Sequence, residues 1–546
     1  MVVKSVRLDG RNVLAADYVK GKLKDFFHYP PFSPLHERLE YLHSRTFPRQ
    51  ELANLLIEMN EKWGASPRTF ERIETFKRES AVFVIGGQQA GLLAGPLYTI
   101  HKIVSIIKFA RMQEERLNVP VIPLFWIAGE DHDYDEINHI YNIVDNKLVK
   151  RKIGQEEWKK RSVSHIPIDQ TALEAWIKQV FNDLLETEHT RKLATEIFRH
   201  ARASETFVDF FARFIHGLFK NHGIVLIDSA NAKLRQLEST WFEKLIIRQQ
   251  DVAEAVYETA QKLHQAGYSV QVDVEKDDGN LFYHDEAQER ILLVRKNDLW
   301  IGKNDEVELT TADLVHLARN EPERLSNNVI TRPLMQEAML PTLTFIAGDA
   351  EIGYWALLKN AFKALDETLT MPPIVPRLSV TLINERIDKL LKERSLHDQY
   401  IVNYGCKMLK MNWLASQKNP PVHLIFEEAK RNMEDLHEPL QQLAKSIGPD
   451  LYGEAKRNLA NILEELDYLK QKTLQHLEHK YSFELEQFQE INLALRPKDT
   501  LQERVLNVVS IINECGDAFL NDLIELDLPF EEDHHIVYLH KLHENV

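Results

Sequence analysis

Cysteine is nearly absent: Cys406 and Cys515 are the only two in 546 residues, so neither a disulfide framework nor a C-x-x-C zinc pair can form. Such a chain suits a reducing compartment. Neither cysteine has a histidine or a second cysteine beside it, which favours packing over a nucleophilic role. No uninterrupted apolar run of about 18 residues occurs, and the opening MVVKSVRLDGRN lacks the apolar stretch of a secretory leader. The expectation is a cytoplasmic chain without a membrane partner. A basic excess is missing too: 67 Lys and Arg face 83 Asp and Glu, a formal charge of -16, which argues against nucleic acid as the main partner. Neither phosphate-binding glycine spacing, GxxxxGK[ST] or GxGxxG, is present, so no nucleotide is dictated. With 44% hydrophobic residues the chain can bury a sizeable core, and its length predicts two or more structural units.

The unusual residues that are present concentrate between Ala81 and Lys102, AVFVIGGQQAGLLAGPLYTIHK. The apolar run Ala81–Ile85 predicts a strand, Gly86-Gly87 opens a turn, and a helix is predicted from about Leu97 through Arg111. Strand, glycine turn and helix are the local plan of a doubly wound α/β sheet, whose ligands bind beyond the strand ends. Gly86, Gly87, Gly91 and Gly95 permit close backbone approach, Gln88 and Gln89 offer amides, and helix-terminal N–H groups favour an anion. A tight structural turn is the alternative.

A second strand, at about Val119 to Ile127, completes a βαβ unit and ends in Ala128-Gly129-Glu130-Asp131-His132-Asp133-Tyr134-Asp135-Glu136. Glu130, Asp131 and His132 suit orientation of an amine, general-base work or a divalent cation. The bland alternative is an acidic first helical turn that complements the helix dipole. Gly223–Asp228 reads as a third parallel strand, with Asp228 either a second-tier site residue or a helix N-cap. The stretches 141–203 and 268–325 read as two insertions, the second made of short antiparallel strands.

Asn328, Arg332 and Gln336 lie four apart, a helix face that Pro333 puts in question. Arg332 suits a carboxylate or phosphate, or a surface salt bridge. Leu340–Ile346 predicts another strand, and its end, with Gly348, Asp349, Glu351 and Tyr354, repeats the Ala-Gly-acid pattern seen after Ile127. Two such ends side by side would line one crevice with carboxylates. Arg377 follows a last short strand, Ile374-Val375, and either faces that crevice or begins a polar helix.

From Phe426 the apolar positions Phe426, Ala429, Met433, Leu436, Leu440, Leu443 and Ile447 alternate by three and four, a coiled-coil seam by spacing alone. Gly448-Pro449-Asp450 marks a hairpin turn, and a second helix runs on to about Leu495. The organisation expected is a core over 1–410, a helical hairpin over 411–495, and helices over 496–546 returning to the core. A protruding hairpin buries its remaining apolar stripe most economically against a second copy, so a homodimer is expected.

The runs GGQQAGLLAGPLYTIHK and, at 120–137, PVIPLFWIAGEDHDYDEI resemble the bacillithiol biosynthesis cysteine-adding enzyme family. So do HGIVLIDSAN at 222–231, RPLMQEAMLPTLTFIAGDAEIGYW at 332–355, MPPIVPRLSVT at 371–381 and LQERVLN at 501–507. The resemblance spans nearly the whole chain. It implies an α/β fold with a Rossmann-like parallel-sheet core, two inserted connecting segments and a long antiparallel helical coiled-coil hairpin. It also implies the last step of bacillithiol assembly, addition of cysteine to glucosaminyl malate. An amide does not form spontaneously from a free carboxylate in water, so activation as an acyl-adenylate or acyl-phosphate is expected.

On that reading Gln89, Glu130, Asp131 and His132 are the catalytic candidates. Gly86, Gly87, Gln88, Gly91, Gly95, Tyr98, Lys102, Asp133, Asn328, Arg332, Gln336, Gly348, Glu351, Tyr354 and Arg377 are the substrate-binding ones. Lys102, Arg332 or Arg377 would supply the cation for a leaving phosphate, and Arg332 would suit the malate. The activating cosubstrate stays open, ATP or another nucleotide included, and no metal site is evident. The His-x-Gly-His turn and Lys-Met-Ser-Lys-Ser loop of amino-acid-adenylating Rossmann enzymes are both missing. Two other readings stand beside this one: a class I synthetase-like activating or nucleotidyl-transfer enzyme, and a coiled-coil scaffold that binds a small acid without turnover.

Overall fold

The computed structural model describes residues 1–417 and 421–539. They fall into two units, Met1–Glu385 with Thr500–Val546, and Arg386–Asp499. The first is built on five parallel strands: β1 Val82–Gln88, β2 Val121–Ile127, β3 Val225–Asp228, β4 Thr342–Ala347 and β5 Ile374–Pro376. Every residue of β2, β3, β4 and β5 is buried, the pattern of strands covered on both faces, and their Val, Ile, Leu and Phe content fits that environment. The strand order is β5-β4-β1-β2-β3. The chain thus winds outward from β1 through β2 to β3, then returns to the other side of β1, which makes the β1/β4 boundary the switch point where such sheets bind ligands.

Helix α1, Leu97–Leu117, crosses from β1 to β2 and stops at Asn118, whose left-handed backbone (φ 52°) ends the helix. Three more helices frame the crevice: α2 Ala232–Ile247, α3 Thr331–Met339 and α4 Asp349–Trp355. Pro333 sits in the first turn of α3, where its missing N–H costs nothing, so the helix forms after all. Asn328 lies just outside it, its Oδ1 accepting the backbone N–H of Ile330 and Thr331 at 2.9 and 3.0 Å.

Gly86 and Gly87 correct the predicted turn: β1 runs through both. A Cβ on Gly86 would come within 2.9 Å of the Ile106 side chain, and one on Gly87 within 2.8 Å of the Trp126 carbonyl. Close helix–sheet and strand–strand packing, not ligand approach, is what demands glycine there. The turn lies further on, where a Cβ on Gly91 would meet the Gly95 Cα at 2.9 Å and Gly95 has φ +64°.

Both insertions belong to the first unit. The earlier one carries the hairpin His139–Val144/Lys147–Lys152 and helices Gln170–Asn182 and Thr190–Arg202. The later one is an antiparallel sheet whose strands Asp278–His284, Arg290–Lys296, Leu299–Gly302 and Glu308–Thr310 are joined at the edge by Leu325–Asn327. Among the described residues no helix is long and apolar enough to cross a membrane.

The second unit is helical and larger than 411–495. Helices Asp398–Tyr404 and Lys407–Ser416 belong to it, tied to Ser482–Leu495 by the Cys406 N–H donating to Asn492 Oδ1 at 2.8 Å. Its hairpin pairs α5, Val422–Ile447, with α6, Pro449–Lys480, and Pro439 lies within α5 without ending it. The seam read from spacing divides. Phe426, Ala429 and Met433 are half-buried and continue into His437, which meets Asn458 Oδ1 at 2.9 Å, and into Ala444. Leu436, Leu440, Leu443 and Ile447 are 69%, 53%, 60% and 66% exposed. Met433 to Leu436 is a step of about −60° around the helix, so an apolar arc wider than one seam holds two stripes, and spacing alone does not say which one the hairpin uses.

Candidate active site

Gln88 and Gln89, at the end of β1, join the two sides of the crevice. Gln89 Nε2 donates to Asp131 Oδ2 at 2.6 Å, while Gln88 Nε2 donates to the Tyr98 hydroxyl at 3.2 Å. The acid segment after β2 and the strand end after β4 therefore flank β1 from opposite sides, rather than lying side by side.

On the β4 side Lys102 reaches out of α1. Its buried Nζ donates to Gly87 O at 2.7 Å, Gln88 Oε1 at 3.2 Å and Glu351 Oε2 at 2.5 Å. Burial lowers the Lys102 ammonium, and the Glu351 carboxylate offsets part of that. Glu351 also accepts the Gly348 N–H at 2.6 Å, so it is held from two sides. Arg332, half-buried on α3, donates to Gln336 Oε1 and to the Tyr354 hydroxyl, both at 3.0 Å, and stacks over Phe345. Its two partners are neutral, and among the described residues it makes no ion pair. Burial raises the Tyr354 phenol to about 12, so the hydroxyl stays protonated. Gln336 is fully buried with Nε2 unpartnered. Arg377 is committed elsewhere, donating to both Glu503 oxygens at 3.0 and 2.6 Å. Glu503 also accepts from Ser379 Oγ and Val380 N–H and lies 2.8 Å from His101 Nδ1. Asn328 faces Asn280, whose Oδ1 takes its amide at 2.9 Å, and does not share the Arg332 contacts.

On the β2 side Glu130, Asp131 and Asp133 part company. Glu130 is buried, paired with Arg235 of α2 and accepting the Asn327 N–H at 3.3 Å; Arg235 also holds the buried Glu238 at 3.0 Å. That geometry makes Glu130 a buried ion-pair member instead of a group open to the crevice. Asp131 is partly exposed, with Oδ1 taking the His132 N–H at 2.7 Å and Oδ2 taking Gln89. Asp133 is exposed. Asp228 is buried beside Gly129, accepting Ser164 Oγ at 2.8 Å and Ala230 N–H at 3.1 Å; burial raises its carboxyl to about 6. Before α1, Leu97 N–H donates to Leu506 O at 2.9 Å, and Asn507 Nδ2 donates to the Leu93 and Gly95 carbonyls at 2.9 and 2.6 Å, which ties the glycine turn to residues 506–507.

Four residues here were not singled out from sequence. Glu136 is near Gln89, and burial raises its carboxyl while Gln89 opposes. Arg235, Arg290 and Glu503 each act across more than 100 residues of chain, so no local spacing marks them. Glu503 had one signal, its place in the LQERVLN run.

A Rossmann-like α/β protein is what this fold and site define, with charged and amide side chains gathered where the strand order reverses and a helical hairpin as a separate unit. Residues 1–378 match the family model described as bacillithiol biosynthesis BshC, N-terminal Rossmann-like domain, and residues 380–539 match its C-terminal coiled-coil domain. The chain belongs to the bacillithiol biosynthesis BshC family. It is 38% identical over 535 residues to a protein of Oceanobacillus iheyensis, covering 97% of this chain and 98% of that one. Proteins of a Geobacillus species and of Bacillus velezensis are 38% and 37% identical over 545 and 543 residues, each covering 99% of this chain and 100% of theirs. All three carry the name "Putative cysteine ligase BshC".

Proposed function

We propose that this chain is a cysteine ligase of bacillithiol biosynthesis, joining the carboxyl carbon of cysteine to the amine of glucosaminyl malate in the crevice over β1. The observation that carries the reading is Arg332, a half-buried guanidinium without a carboxylate partner at the switch point of a chain similar end to end to cysteine ligases. A malate carboxylate supplies the missing partner in bidentate form. Lys102 neutralises Glu351 and so keeps that carboxylate from occupying Arg332. Gln89 orients Asp131, whose remaining lone pairs are placed to take the proton of the attacking amine. The C–N bond forms as the activated carboxyl loses its oxygen leaving group. Low cysteine content and acidic charge support a reducing cytoplasm as the setting.

Thiol analysis of a deletion strain tests this. Loss of bacillithiol with accumulation of glucosaminyl malate is expected, restored by the wild-type gene and not by Asp131→Asn. Normal bacillithiol in the deletion strain would end the ligase reading.

The exposed Leu436, Leu440, Leu443 and Ile447 stripe supports self-pairing through α5. Sedimentation is expected to give a dimer at micromolar concentration, and Leu440→Glu combined with Leu443→Glu a folded monomer. A wild-type monomer would refute the pairing.

A further inference from the structure

The inserted antiparallel sheet brings Arg290 under the acid segment. Its buried guanidinium lies 3.7 Å over the Phe282 ring, donates through Nε to Ser326 Oγ at 3.1 Å and through Nη2 to Asn327 O at 2.6 Å. The remaining nitrogen, Nη1, lies 3.3 Å from His132 Nδ1 and 3.8 Å from Asp131 Oδ1. The His132 ring also sits edge-on to Phe282, with centroids 6.0 Å apart. Arginine has donors only, so His132 Nδ1 must be the acceptor of this contact and carries no proton. The ring proton is then on Nε2, and His132 lines a recess of about 570 Å³ with Phe282, Lys160 and Lys303.

We propose that Arg290 is a positioning residue that fixes His132 as a neutral ring protonated on Nε2, so that His132 donates a hydrogen bond to a substrate oxygen in this recess. The inference rests on the ligase reading of the crevice. For an acyl transfer the oxygen that gains charge is that of the attacked carboxyl, and a preset N–H there stabilises the developing oxyanion. The charges around the ring agree. Burial lowers the imidazole, Arg290 lowers it further, Asp131 opposes, Lys160 lowers it and Asp133 opposes. His284, on the neighbouring strand, is pushed down to about 3 by burial and adds no cation. Asp285, Glu286 and Glu289 also line the recess. A base at this position would need Nδ1 or Nε2 free of both proton and cation, and the first is occupied by Arg290.

Nitrogen NMR of the full-length chain labelled at histidine, with His132→Gln assigning the signal, reads the tautomer directly. Expected above the His132 midpoint is an unprotonated Nδ1 and a protonated Nε2, and in Arg290→Met an upward shift of that midpoint. An Nδ1–H tautomer, or a wild-type midpoint at or above the ordinary value, would overturn the assignment even if Arg290→Met fails to fold. In ligation assays His132→Ala is expected to lose about 10²–10³-fold, while His132→Gln, which keeps an N–H donor, stays within about 10-fold of wild type. Equal losses in the two variants would overturn the donor role. An unchanged His132→Ala rate with the tautomer intact would instead show that ligation happens elsewhere, which separates the two failures.

Discussion

Arg332→Met is expected to lower kcat/KM for glucosaminyl malate by about 10²-fold or more, chiefly through KM, with the fold intact. Removing one partner of a desolvated ion pair costs about 2–5 kcal/mol, and on the proposed reading the lost partner is the counter-charge of the malate carboxylate. The guanidinium also links Gln336 to Tyr354, yet both partners are neutral, so the free protein loses two ordinary hydrogen bonds and no ion pair. Arg332→Lys is expected to recover little, because a compact ammonium lacks the planar fork that engages both oxygens of a carboxylate while still holding Gln336 and Tyr354. Steady-state kinetics with the substrate and with a malate-free analogue checks this. A similar loss for the analogue would remove Arg332 from malate recognition.

Glu503→Gln is expected to destabilise the protein by about 3–5 kcal/mol, because it removes one member of a buried pair and leaves the Arg377 guanidinium without its counter-ion. Burial opposes ionisation of Glu503, but the Arg377 charge and the donors from His101 and Arg377 outweigh it and hold the carboxyl well below the usual carboxylate range. The sign follows from that direction. A carboxylate with a depressed folded-state pKa contributes stability that is fully present above its unfolded value, about 4.3, and is lost as pH falls through the folded value. The wild type is therefore expected to lose this contribution only below about pH 4, and Glu503→Gln to show a flatter acid limb. Urea unfolding at neutral pH and through the acid range measures both. A stability change under about 1 kcal/mol at neutral pH would mean that the Glu503 contacts are replaced by solvent.

Glu503 and Glu130 illustrate why the site was only partly legible beforehand. Glu130 stood in the right segment, next to Asp131 after a buried strand, and spacing placed both acids at the same sheet end. Which of the two faces the crevice depended on Arg235, 105 residues away, turning Glu130 inward. Gln89 and Lys102 were singled out as candidates because they share one short run with β1. Arg290 was not, because a strand of the inserted sheet carries it. The two glycines of β1 show the same limit from the other side: their lack of side chains was visible, but only the packing of Ile106 and Trp126 reveals what that lack is for.

Local chemistry fixed the elements. Apolar runs of strand length, the 3-4 alternation after Phe426 and the glycine, proline and asparagine stops are properties of neighbouring residues, so the amino-acid order alone determined the parallel-sheet core, the helical hairpin and the family. Tertiary structure decided which acids meet water and which meet arginine, and which of the α5 stripes the hairpin covers. Those outcomes depend on charge pairing and burial between segments remote in sequence, whose energies are set by distance in space and have no counterpart in spacing along the chain.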